Sequence, residues 1–179
     1  MEKTELKFLL AKSPFEEEII SALKLSKPIR VSGINFGYKN IDFETGNFDF
    51  LIRGKNKRFI SIPFASVDLT LNKFINFIEE IDSSDKPLIF YVFNKGVEYI
   101  IYSEKIDSSD IRFTVLNTDE LYKKEREGQI LSYSFIEAEV CLDITINKKI
   151  FIKEIQSAMK NIVEKYRNVA YFEQKNFNI

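Results

Sequence analysis

Glu137, Glu139 and Asp143 lie within nine residues of one another in the stretch Phe135-Ile136-Glu137-Ala138-Glu139-Val140-Cys141-Leu142-Asp143. On an extended strand, residues two and four apart share a face. The spacing would therefore gather three carboxylates, the hard oxygen donors that suit a divalent cation such as magnesium. A lysine at the Glu-x-Lys spacing of one common nuclease pattern is missing. Solvated acids on an outward sheet face are the commoner origin of such a pattern. The residues make a candidate metal site and define one reading of the chain, a divalent-cation-dependent enzyme.

A second group has different chemistry. Ile111 to Leu116 alternates, with Ile111, Phe113 and Val115 on one face and Arg112 and Thr114 on the other. Tyr102 has the strand phase of that second face, and Tyr91 joins it across a hairpin. Tyrosine and arginine are enriched at protein interfaces, so Tyr91, Tyr102, Arg112 and Thr114 are candidate partner-binding residues. The competing reading is a sheet face covered by a helix or tail of the same chain.

The inventory narrows the chemistry further. Histidine is absent, which removes the imidazole base of the common triads, the usual metal ligand and the side chain that titrates near neutrality. Cys141, the lone cysteine, has no basic cluster nearby to activate it and reads as packing. Basic residues collect at Arg53, Lys55, Lys57 and Arg58 and again at Lys123, Lys124 and Arg126. The second group is interleaved with Glu125 and Glu127, neither has the aromatic spacing of a stacking platform, and 26 basic against 27 acidic residues leave a formal charge of −1. No nucleic-acid partner is indicated. Gly33 and Gly37 make no phosphate cradle, and no cofactor is expected.

These residues need elements to hold them. Ser13-Pro14-Phe15-Glu16 is a capping box that opens a helix running to Lys27-Pro28, with Phe15, Ile19, Ala22 and Leu23 on one face. Period-two alternation then predicts strands between Arg30 and Phe64, reversing at Glu44-Thr45-Gly46 and at Gly54 to Lys57. Leu71, Phe74, Ile75, Ile78 and Ile81 form the apolar stripe of a second helix over Leu69 to Ile81. A hairpin follows, Leu88 to Phe93 and Val97 to Tyr102, turning at Asn94-Lys95-Gly96. Next come the strand Ile111 to Leu116 and a long strand with Ala138, Val140, Leu142, Ile144 and Ile146 on its inner face. After Asn147 a third helix places Phe151, Ile155, Ala158, Met159, Ile162 and Tyr166 on one side. The tail from Val169 holds Tyr171, Phe172 and Phe177, which could dock on the body or fray.

This order predicts an α+β fold, one mainly antiparallel sheet packed with three helices. With 179 residues, 45% of them apolar and 30% charged, a single domain over 1–179 is expected. The apolar run Phe8 to Ala11 is too short for a signal-peptide core, and no stretch reaches the length of a membrane span, so a cytoplasmic protein is expected. The segment Glu79-Glu80-Ile81-Asp82-Ser83-Ser84-Asp85 recurs as Glu104-Lys105-Ile106-Asp107-Ser108-Ser109-Asp110, each copy just before a strand and a candidate cation or partner loop. Without a calcium loop's ligand ladder and glycine, these read as solvated turns.

The run LNKFINFIEEI, the hairpin LIFYVFNKGVEYIIY, the strand IRFTVLN and the terminal EVCLDITINKKIFIKEIQSAMKNIVEKY resemble the small bacterial immunity proteins of polymorphic-toxin and contact-dependent-inhibition systems. The likeness covers roughly Leu71 to Tyr166. It implies a protein that neutralises a cognate toxin by binding it, without catalysis, and carries over no contact residues. Three readings therefore stand: a non-catalytic binding protein with a protein partner such as a toxin, the carboxylate enzyme, and a structural or oligomer-forming domain.

Overall fold

The two periods visible in the sequence settle into separate layers of the computed structural model, which describes residues 7–11, 16–53, 59–64, 67–94, 97–117 and 135–167. In chain order the elements are β1 (Lys7–Ala11), α1 (Glu16–Leu23), β2 (Ile29–Arg30), β3 (Asn35–Asp42), β4 (Asn47–Arg53), β5 (Phe59–Phe64), α2 (Val67–Ser83), β6 (Leu88–Asn94), β7 (Val97–Lys105), β8 (Asp110–Asn117), β9 (Phe135–Asn147) and α3 (Lys148–Arg167). The fold is α+β.

The strands divide between two sheets. A six-stranded main sheet runs β1-β9-β8-β7-β6, with β2 also on β9, and a smaller sheet runs β3-β4-β5. All pairs are antiparallel except β2 with β9, which is parallel and joins Ile29 to Ile144 and Arg30 to Thr145. The alternation within β3 to β5 says which residues face inward. It does not say that these strands stop short of β6 to β9 as a separate sheet.

The small sheet turns where expected. The Asp42 carboxylate accepts hydrogen bonds from the Glu44 and Thr45 amides at 2.9 and 3.3 Å. Gly46, at φ 74°, supplies the left-handed residue that closes the turn. The turns at 54–57 and 95–96, the capping residues 13–15, the Lys123, Lys124 and Arg126 group and the aromatic tail all lie outside the described residues.

Helices α2 and α3 present their apolar stripes to both sheets. In α2, Leu71, Phe74, Ile75, Ile78 and Ile81 are buried, while Lys73, Asn76, Glu79 and Glu80 are exposed. Phe74 meets Phe50 and Phe64 of the small sheet and Phe90 of the main sheet. Phe151 of α3 does the same, 4.7 Å from Phe113 of β8 and edge-on to Phe36 of β3 at 5.6 Å. Asn147 caps α3 by accepting the Lys149 and Ile150 amides.

The other face of the main sheet carries α1. Leu23 packs there with Ile100, Tyr102 and Leu116, joined by Ile20, Tyr91 and Val140. Val140 corrects the expected pattern for β9. Val115 pairs with Leu142 but Leu116 pairs with Val140, so Cys141 is an extra residue, a bulge that reverses the phase of the strand. Leu142, Ile144 and Ile146 therefore pack toward α2 and α3, while Val140 packs toward α1.

The double contact of Phe151 makes it a sensitive point. Phe151→Ala is expected to cost about 3–5 kcal/mol in urea unfolding, whereas Phe43→Ala, at a partly exposed ring, costs about 1 kcal/mol or less.

Candidate functional site

The most concentrated polar chemistry lies between the main sheet and α1. Pairing of β8 with β9 sets Thr114 opposite Asp143, with Arg112 one same-face step away, and pairing with β7 sets Glu104 opposite Arg112. Arg112 Nε donates to Asp143 Oδ1 at 2.8 Å and Nη2 to Oδ2 at 2.7 Å, a fork matched to a carboxylate. Thr114 Oγ1 donates to Asp143 Oδ1 at 3.0 Å. Glu104 Oε1 lies 3.6 Å from Arg112 Nη1.

The end of α1 completes this group. Arg112 Nη2 also donates to the Leu23 carbonyl at 2.9 Å and to the Ser26 carbonyl at 3.5 Å, and the Ser26 hydroxyl donates to Asp143 Oδ2. The helix stops at Leu23, short of the expected Lys27-Pro28. There the Leu23 carbonyl is taken by Arg112 and by the Ser26 amide, at 3.1 Å, in a tightened last turn. A buried cation thus serves as the C-cap of a short helix.

Electrostatics follow from these contacts. Burial opposes the Arg112 charge, but hydrogen bonding to Asp143 and the Asp143 and Glu104 charges outweigh it, holding Arg112 more firmly protonated than a free arginine. Burial pushes the Tyr102 phenol far above its ordinary range, and the neighbouring Glu104 carboxylate pushes it further. Among the described residues, no buried side-chain nitrogen or oxygen lacks a hydrogen-bond partner.

The candidate docking residues Tyr102, Arg112 and Thr114 come together, but beneath α1. They are 1%, 6% and 0% exposed, and Tyr91 is half-buried against the same cluster. This sheet face is an internal layer of the chain and not an open surface, because the apolar side of α1 covers it.

The carboxylate trio is separated by the bulge at Cys141. Asp143 shares the α1 side with Thr114, whereas Glu139, paired with Asn117, has the opposite strand phase. Glu137 lies opposite Leu9 of β1, two residues beyond the Glu139 and Lys7 pair. Among the described residues, no three Asp, Glu or Cys side chains gather as a cation would require. Cys141 packs partly buried against the main core.

The duplicated Asp-Ser-Ser-Asp loops meet at one end of the main sheet, which their sequence did not signal. Asp107 accepts the Ser109 amide at 2.7 Å and the Asp110 amide at 2.9 Å, the solvated turn its composition suggested. Lys148, first residue of α3, ties the copies together. Its amide donates to the Ser109 carbonyl at 2.8 Å, and its ammonium pairs with Asp82 at 3.1 Å. Lys105 pairs with Asp85, and Arg30 of β2 reaches Asp110. An open cavity of about 690 Å³ at this end is lined by Asp82, Ser108, Ser109, Lys148, Lys149 and Lys153 among others. Ile106 of the β7–β8 turn and Ile150 in the first turn of α3 lie at this end and are 50% and 40% exposed, while Ile29 of β2, paired with Ile144, is 61% exposed.

No family model, curated protein or solved structure matches the chain. Among the described residues, no helix is long and apolar enough to cross a membrane.

Two measurements probe this chemistry. Arg112→Ala leaves Asp143 buried without its cation and is expected to cost about 3–5 kcal/mol in urea unfolding, while the double variant Arg112→Met/Asp143→Leu recovers much of that loss. The amides of Ser109 and Asp110 hold the Asp107 carboxyl below its ordinary range. Its stabilisation is therefore complete above the ordinary value near ~4 and disappears as the pH falls through the lowered one. Asp107→Asn keeps the accepting oxygen without the charge. Its urea midpoint should vary less than the parent's between about pH 4 and pH 2.

Proposed function

We propose that this chain is a non-catalytic protein-binding domain of the immunity type, neutralising a cognate bacterial toxin in the cytoplasm by holding it at the loop end of the main sheet. The observation that carries this reading is the exposure of Ile106 in the β7–β8 turn and Ile150 in the first turn of α3, two segments joined by the Lys148 to Ser109 hydrogen bond, next in the chain to the charged Asp107 and Lys149. Exposed apolar side chains scattered singly need no explanation, but several together with a charged rim have the make-up of a docking surface. The members of the polar group under α1 are satisfied by one another and by the end of α1, so the group acts as a fastener.

The test is to tag the protein in its native host, recover its partner and co-express it with any toxin encoded by a neighbouring gene. Wild type should bind that toxin and restore growth, and Ile106→Asp/Ile150→Asp, folded by circular dichroism, should lose at least about tenfold in affinity. The reading is overturned if no toxin-like partner is bound, if the double variant binds equally well, or if sedimentation shows the isoleucines engaged with a second copy of the chain.

A further inference from the structure

We propose that α1, together with the turn to Ser26, is a cover that opens off the main sheet as a unit while the two-sheet core stays folded. This goes beyond the docking end and does not rest on it.

The first support is the separation of the apolar layers. Leu23, Ile100, Tyr102 and Leu116 pack on one face of the main sheet, whereas Phe113, Val115 and Ile144 pack with α2 and α3 on the other. Lifting α1 leaves that second face untouched. Cooperative units of unequal stability arise where a layer is divided in this way.

The second support is the composition of the latch. Three groups of the cover engage the sheet's ions: the Leu23 carbonyl, the Ser26 carbonyl and the Ser26 hydroxyl. When these leave, Arg112 keeps both bonds to Asp143, Thr114 keeps its bond to the same carboxylate, and Glu104 stays beside the guanidinium. No charge is stranded. Water can take the place of a carbonyl and a hydroxyl, whereas opening that broke the ion pair would leave a costly orphan. The face beneath the cover carries Tyr91, Tyr102 and Leu116 around the Arg112–Asp143 pair.

Two tyrosines report on the two layers. Tyr102 lies under α1 and Tyr166 lies in the core with α3, each almost wholly buried. In the full-length protein, tyrosine-selective acetylation read residue by residue by mass spectrometry should modify Tyr102 at least about tenfold faster than Tyr166, at a rate insensitive to low urea. Ser26→Ala, which removes one latch bond and leaves the ion pair whole, should accelerate Tyr102 a further few-fold with Tyr166 unchanged. Hydrogen exchange at residues 20–26 should rise in parallel, separately from α3. The cover is refuted if both tyrosines react at one rate and share one urea dependence, or if Ser26→Ala shifts them together.

Discussion

A guanidinium and a carboxylate taken out of water must each find every partner they need nearby, and the pairing of Arg112 with Asp143 is organised around that demand. Two neighbouring strands supply the ions in fork geometry, a third supplies Glu104, and Thr114 fills a remaining acceptor position. What the sheet leaves open is taken by the end of a helix whose last carbonyls need donors. The desolvation of the charge and the unmet hydrogen bonds of α1 are thus resolved by the same contacts. The position of the helix follows from this arrangement as much as from the apolar fit of Leu23.

β9 is the element on which both faces are built. Its thirteen residues pair with β8 along one side and with β1 and β2 on the other, and its bulge at Cys141 decides which side chains each layer receives. Without the extra residue, Val140 would share a face with Leu142, and Glu139 would share one with Asp143. With it, an apolar residue is delivered beneath α1 and the acids are parted. One inserted residue thereby parts Asp143 from Glu139 and leaves it engaged by Arg112, Thr114 and Ser26.

Much of the scaffold was legible because side-chain period is a direct consequence of backbone geometry. The stripes of α2 and α3, the inward residues of β4 and β5, the Asn147 start of α3 and the opposition of Arg112 and Thr114 to Phe113 and Val115 all follow from spacing alone. The bulge was not legible, since Cys141 looks like any other member of an alternating run. Nor was the pairing of β2, where two residues offer no period to read, or the division of the strands into two sheets. The polar site was half legible. Its residues were identified by type and phase, but whether α1 or solvent would lie on them depends on contacts such as Ser26 with Asp143, 117 positions apart. Local spacing carries no record of such contacts.

The pairing of β1 with the first half of β9 has a consequence for how the chain comes into being. Lys7 to Ala11 are matched to residues 135–139, so on a ribosome β1 has no partner until more than a hundred further residues have been synthesised. β3 to β5 and the hairpin of β6 with β7 join neighbours in sequence and can associate as they emerge, but β1 must wait. Long-range pairing of this kind is slow to form and leaves an unpaired strand exposed in the meantime. The edge of the main sheet that β1 closes is therefore completed only after β9 has emerged.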